Sequence, residues 1–173
     1  MLQLIISALL LLAACSPTIE ATETVTVRNN GPEVTVARTK AQIGEYIDVK
    51  VSVLVGLDST SSHAERHADI QVGVCLQQVE LGCRQITVDE ALESGIPVPE
   101  GVLFAEGGSP VKTFNLDVKR GEQMTLEHSF RMTSKLPGDY TLLGFALAKV
   151  TEEASIGYVL GSESGPDPVV SFE

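Results

Sequence analysis

The chain has no tryptophan, few other aromatic residues and fewer basic than acidic side chains. Aromatics make up 5% of its 173 residues, too few for the stacking platforms that single-stranded nucleic acids and many sugars need. The chain has 12 Lys and Arg and 23 Asp and Glu, which gives a formal charge of -11. This charge repels phosphate backbones, so we expect no nucleic acid partner. The length allows one ordinary domain.

The chain also lacks the short motifs of common catalytic sites. It contains no GxGxxG, Walker loop, HExxH, GxSxG or EF-hand loop. Glu106, His128 and Asp139 are candidates for an unrecognised active site, but no spacing orders these groups against one another. We therefore do not expect an enzyme.

The first fourteen residues are apolar except for Gln3 and Ser7. At about 1.5 Å per residue, a helix of this length is shorter than a ~30 Å hydrocarbon core, so it does not predict a membrane-spanning anchor. An apolar run of this length is typical of a secretory signal, although it lacks the usual Lys or Arg at its start.

The signal ends in Leu12-Ala13-Ala14-Cys15, which resembles the lipobox of bacterial lipoproteins. The resemblance implies that 1–14 is a lipoprotein signal peptide and that Cys15 becomes the lipidated N-terminus, anchored to a membrane of the cell envelope. Ser16 after the cysteine implies the outer membrane where the host has one. The Ser-, Thr- and Glu-containing residues 15–23 predict a flexible tether to a single domain over 24–173.

Alternating apolar and polar residues predict β-strands through that domain. The clearest run is 45–55, EYIDVKVSVLV. Asn30-Gly31, between two valine-containing runs, predicts a hairpin. The segment 140–150 is apolar on both faces and predicts a central strand. A capping-box pattern beginning at Thr87 predicts one short helix near 88–95.

About eight or nine such strands predict an all-β fold, an antiparallel β-sandwich of two sheets. Gly44-Glu45 before one strand, together with the later segment from Gly121 to Leu142, resembles the immunoglobulin-like modules of bacterial surfaces. The resemblance implies a fold and not an activity.

Three cysteines leave a possible pair once Cys15 is assigned to lipidation. The alternation places Cys75 and Cys83 on the polar faces of successive strands. If those strands form a hairpin, an oxidising envelope would join the two as a disulfide. Redox exchange and metal binding are alternatives, but the spacing is not CxxC.

One cluster of residues suits a metal ion. In extended chain His63, Glu65, His67 and Asp69 project to one side, and imidazoles with carboxylates are ligands for Zn or Cu(II). The alternative is a solvated polar loop, in which these residue types are common.

A second candidate surface is formed by Val102, Leu103 and Phe104, which lie between Gly- and Pro-rich flanks. They predict either an extra edge strand or an exposed apolar patch for a partner. The sequence as a whole predicts a lipid-anchored envelope protein that binds or scaffolds an envelope protein partner without a cofactor. The alternative function is envelope binding of Zn or Cu.

Overall fold

The computed structural model describes residues 26–27, 31–57, 64–78, 96–150, 156–160 and 167–173. These ranges contain no helix, and so none that could cross a bilayer. The predicted signal peptide, the tether and the helix near 88–95 lie outside them. The described ranges contain eleven strands, which are β1 (Thr26–Val27), β2 (Glu33–Val36), β3 (Lys40–Ala41), β4 (Ile47–Gly56), β5 (Glu65–Gln78), β6 (Val102–Phe104), β7 (Val111–Lys119), β8 (Gln123–Ser134), β9 (Gly138–Val150), β10 (Ile156–Leu160) and β11 (Val169–Phe172).

The strands form two sheets that enclose one main core. In the five-stranded sheet the order is β1-β4-β8-β6, with β2 also paired to β4. In the six-stranded sheet the order is β3-β11-β9-β5-β7, with β10 also paired to β9. Every strand pair is antiparallel except β3 with β11. The all-β prediction is confirmed, and the described ranges hold eleven strands where about eight or nine were predicted; among them β3 has only two residues, too few to show alternation.

Strand β4 shows how the alternation builds the core. Its five apolar residues at odd positions are each at most 2% exposed, while Asp48 and Lys50 face solvent. The facing sheet supplies buried side chains from β5 and β9, among them Ile70, Val72 and Leu142. Strand β9 lies between β5 and β11, as expected for a run that is apolar on both faces.

The predicted hairpin at Asn30-Gly31 is wrong. Thr26 in β1 pairs with Gly56, and Val34 in β2 pairs with Val51, both antiparallel to β4. Because β8 occupies the other side of β4, β1 and β2 follow one another along the same side. Gly31 has a φ of 70°, so its left-handed conformation serves the connection between these two strands.

The chain changes sheets between β8 and β9. Ser134 and Tyr140, both 0% exposed, are joined across this connection by a 3.1 Å hydrogen bond between their hydroxyl oxygens. Ser134 Oγ also donates to the carbonyl of Leu136 at 2.7 Å and accepts from its amide at 3.1 Å. Since the Ser134 proton is already donated, the Tyr140 hydroxyl is the donor to Ser134. These bonds fix the crossover at one end of the sandwich.

Candidate functional site

Three of the four predicted metal ligands share the outer face of the six-stranded sheet. Glu65 and His67 are exposed and Asp69 is half-buried, while the intervening Arg66 and Ala68 are only 3% and 0% exposed. The segment therefore belongs to β5, and its interpretation as a solvated loop is wrong because β7 and β9 both pair with it. His63 lies outside the described residues.

Cross-strand partners on β7 hold two of these side chains. His67 Nδ1 lies 2.7 Å from Asp117 Oδ1, and Asn115 Nδ2 donates to Asp69 Oδ1 at 2.7 Å. Each pair consists of residues directly opposite in the ladder. Within the described ranges no three His, Cys, Asp or Glu side chains are grouped closely enough to hold a metal ion. The metal site stays a prediction.

Cys75 lies on the outer face of the same sheet, farther along β5. It is 8% exposed and belongs to a small second core with Phe145 and Leu147, against which Ile96 and Leu143 pack. The expectation that Cys75 sits on a polar face is therefore wrong, because the neighbouring strand β9 makes this part of the outer face apolar. Cys83 and Cys15 lie outside the described residues, so the disulfide and the lipidation stay predictions.

The segment Val102, Leu103 and Phe104 forms the edge strand β6 of the five-stranded sheet, paired only with β8 in the described chain. Val102 is buried, whereas Leu103 on the outer face is 40% exposed. Phe104 packs edge-on against Phe130, with ring centroids 5.7 Å apart. The segment is thus an edge strand whose Leu103 side chain remains available at the surface.

His128 is half-buried between the sheets at their edge. Its Nε2 is 2.7 Å from the carbonyl oxygen of Ser109, and its ring stacks on Phe130. Since a carbonyl oxygen only accepts, Nε2 carries the proton and donates it in this bond. The bond joins the β6–β7 connection to β8. In the described part of the chain, this contact is structural.

The five-stranded sheet carries an open groove of about 610 Å³ on its outer face. Strands β2, β4 and β8 form the floor, and the loop 105–108 after β6 forms one wall. A hydrogen bond of 2.7 Å from Gly108 N to Ala105 O closes this loop into a tight turn. The volume is within the range of ligand sites, although the groove is open to solvent.

Side chains of both signs line the groove. On the floor, Asp48 and Arg131 are directly opposite each other, and Lys50 forms an ion pair with Glu127 whose N–O distance is 2.6 Å. Glu106 lies in the wall. Exposed ion pairs contribute little to stability, so these charges are available to an incoming polar surface. The groove therefore suits a binding role.

A turn held by side-chain hydrogen bonds lies beside the groove, just before β4. Arg38 contacts Glu45 with one guanidinium nitrogen and donates to the carbonyl of Tyr46 with the other at 2.8 Å. The backbone amide of Gln42 donates to Glu45 Oε2 at 3.1 Å. This amide and the Arg38 guanidinium hold the pKa of Glu45 below its ordinary value. Tyr46 is thereby positioned for the Arg131 guanidinium, which lies 5.6 Å from its ring centroid.

Sequence reasoning missed the groove. Its floor combines β2, β4 and β8, and Thr35 and Arg131 on that floor are 96 positions apart. Alternation predicts only which face of its own strand a side chain occupies. The usable sequence signal is the Gly107-Gly108 pair, which is typical of a turn, and in the structure Gly107 has a φ of 70°. That turn shows where the wall bends and not which strands it faces.

No protein-family model and no curated protein matches this chain. Among solved structures, it is similar to a beta-glucuronidase from glycoside hydrolase family 2, with a TM-score of 0.41 and 8% identity over 78% of this chain. The chain spans only 11% of the length of that glucuronidase. It is also similar to the cupredoxin domain of amoB from Nitrosocaldus yellowstonii, with a TM-score of 0.39 and 9% identity over 86% of this chain and 90% of that domain. The sandwich assignment rests on the two sheets themselves.

Proposed function

We propose that this protein is a lipid-anchored β-sandwich of the bacterial cell envelope that binds or scaffolds another envelope protein and catalyses no reaction. The observation that carries the proposal is the apolar run that ends at Cys15 and is followed by a polar tether. A lipidated chain of this kind presents its folded domain to neighbouring proteins at a membrane surface.

Two structural features support a binding role. The groove on the five-stranded sheet offers charged groups of both signs at a concave surface. The edge strand β6 places Leu103 next to that groove's wall. The immunoglobulin-like resemblance belongs to the same proposal, and the two packed sheets with chain crossings between them support it.

The intact mass of the membrane-extracted full-length protein tests the anchor. We expect a chain that begins at Cys15 and carries acyl groups, with two hydrogens gained on reduction if Cys75 and Cys83 are bridged. Cys15→Ser should abolish both processing and acylation, whereas the matched control Cys83→Ser should leave them unchanged. An unprocessed wild-type chain beginning at Met1 would overturn the proposed anchor.

A metal-binding role is the second candidate, favoured by the shared face of Glu65, His67 and Asp69. Bound to Asp117 through Nδ1, His67 has its Nε2 on the other side of the ring, the arrangement in which a carboxylate orients a histidine ligand. Calorimetric titration of the full chain with Zn²⁺ or Cu²⁺ tests this role. Stoichiometric binding should be lost in His67→Ala and kept in the surface control Glu127→Ala. An absence of binding by the unaltered protein would dispose of it.

A further inference from the structure

Strand β7 is an edge of the six-stranded sheet. It pairs with β5 on one side, and the described chain places no strand on its other side. The other strands with a single neighbour in the described sheets have at most five residues, whereas β7 has nine. Proteins usually keep exposed edges short or cover them, because the unpaired backbone groups accept a further strand. The open side of β7 is thus a binding surface for an extended chain.

The hydrogen bonds between β5 and β7 show which backbone groups face this open side. At the two ends of the ladder, Arg120 N donates to Ala64 O at 2.8 Å, and Val74 N donates to Pro110 O at 2.9 Å. All four residues are even-numbered, and hydrogen-bonded positions alternate with non-bonded ones in an antiparallel pair. The odd-numbered residues of β7 therefore direct their N–H and C=O groups away from β5. The exposed ones at the centre of the strand are Thr113, Asn115 and Asp117.

The side chains of β7 leave these backbone groups accessible. On the outer face, Asn115 Nδ2 donates to Asp69 Oδ1 and Asp117 Oδ1 contacts His67 Nδ1, each at 2.7 Å. Both bonds run to the residue directly opposite on β5, so they hold the two side chains away from the open side. On the inner face, the half-buried Phe114 and Leu116 pack against the main core.

The backbone of β7 can pair in full with the β7 of a second copy. The strand runs over 111–119, so its midpoint is Asn115, which is one of the residues that face the open side. Two β7 strands that run antiparallel about Asn115 therefore overlap over all nine residues with their free N–H and C=O groups opposite one another. Such a contact uses the same surface on both copies, so it closes on itself at the dimer.

The side chains of β7 are complementary in the same register. Phe114 lies opposite Leu116 of the second copy, so apolar side chains meet across the new pair. Every charged side chain of β7 lies opposite an uncharged one, in the pairs Lys112–Val118, Asp117–Thr113 and Lys119–Val111. A register shifted by two residues would either place Lys112 opposite Arg120 of the second copy or leave Val118 and Lys119 without a strand partner. The register centred on Asn115 is therefore the best of the three.

We propose that two copies of this chain dimerise by antiparallel pairing of their β7 strands about Asn115, which joins the two six-stranded sheets into one. The occupant of the edge is a second copy because backbone and side chains of β7 complement themselves over the whole strand. The pairing involves no residue before position 111, so it is independent of the proposed lipid anchor.

Photo-crosslinking in cells that produce the full-length protein tests the occupant. A benzophenone side chain is placed at Thr113 on the open edge, and at Val169 in β11 as an exposed control away from it. We expect an adduct of two copies of the chain from Thr113 and none from Val169. An adduct with a different protein or with lipid, or no adduct from Thr113, would overturn the proposal.

A proline at the midpoint tests the backbone pairing. Asn115→Pro removes an N–H that faces the open side and no hydrogen bond to β5, so the monomer should keep its fold, as checked by circular dichroism. The dimer dissociation constant, measured by sedimentation equilibrium of the purified full chain, should rise at least about tenfold, because two hydrogen bonds are lost per dimer. The control Asn115→Ala keeps the N–H and loses only the side-chain bond to Asp69, so it should stay within about threefold of the wild type. Equal dissociation constants in the two variants would count against the pairing.

Charges at Thr113 test the register without altering the backbone. Thr113 lies opposite Asp117 of the second copy, and the contact occurs twice in a two-fold dimer. Thr113→Asp should therefore weaken the dimer by about fivefold, and Thr113→Lys should strengthen it by a similar factor. The same two substitutions at Thr125, an exposed threonine on the other sheet, control for the change in net charge and should have smaller effects. Equal effects at the two positions would refute the register.

Discussion

Removal of the Tyr140 hydroxyl tests the account of the β8–β9 crossover. Tyr140 is 0% exposed and donates one hydrogen bond, of 3.1 Å, to Ser134 Oγ. In Tyr140→Phe, Ser134 keeps both of its bonds to Leu136, so no polar group is left without a partner. The loss is one neutral buried hydrogen bond, about 0.5–1.5 kcal/mol of unfolding free energy.

The partner variant Ser134→Ala should cost more. It leaves the buried Tyr140 hydroxyl without an acceptor and removes both bonds to Leu136. An unsatisfied buried group costs about 1–3 kcal/mol in addition to the lost bond. Because Tyr140→Phe removes that orphaned hydroxyl, the double variant should be less destabilised than the sum of the two single variants.

Urea denaturation of the wild type and the three variants measures these differences. The chain has no tryptophan, so unfolding is followed by far-ultraviolet circular dichroism. An unchanged Tyr140→Phe midpoint, or a double variant whose loss equals the sum, would refute the buried hydrogen bond between the two hydroxyls.

Three further predictions concern single positions. Gly73→Ala should lower the unfolding free energy by about 1–3 kcal/mol in urea titrations, because its Cβ would lie 2.7 Å from both the Pro110 carbonyl and the Phe145 ring. Thr133→Val should leave the thermal midpoint unchanged or raise it, since Thr133 is 3% exposed and its hydroxyl has no hydrogen-bond partner among the described residues; a clear fall would show that the hydroxyl is satisfied. Burial raises the pKa of Asp167, so its charged form opposes folding above that pKa. Asp167→Asn should therefore be more stable than the wild type at pH 7, and urea midpoints at decreasing pH should converge as Asp167 becomes protonated in both folded and unfolded chains.

Much of the strand pattern could be predicted from the sequence, because a strand with one buried face and one solvent-exposed face alternates apolar and polar residues. In β4 the contrast between Val49, Val51 and Val53 on one face and Asp48 and Lys50 on the other follows directly from the facing sheet and solvent. Strand β9 is apolar on both faces because one face meets the core and the other meets Cys75.

The strand with which each strand pairs could not be predicted in the same way. Two valine runs around Asn30-Gly31 are compatible with a hairpin, yet β1 and β2 both pair with β4. The edge of β4 that does not pair with β8 is long enough for β1 and β2 to lie along it one after the other. Likewise, Gln71 and Gln77 on β5 indicate a polar face around Cys75, and they do not show that β9 packs apolar side chains against Cys75. For the candidate site, the shared face of Glu65, His67 and Asp69 followed from period two, but the Asp117 partner of His67 lies fifty positions away.

The parallel pairing of β3 with β11 bears on when the six-stranded sheet can be completed during folding. Lys40 and Ala41 pair with Ser171 and Phe172, and β11 is the only neighbour of β3 in the described sheets. Phe172, 2% exposed, also packs edge-on against Tyr140. Lys40 and Ala41 can thus join the sheet only once Ser171 and Phe172, about 130 positions later, are available. Under the proposed export from the N-terminus, β3 would therefore stay without this neighbour until Ser171 and Phe172 had also crossed the membrane.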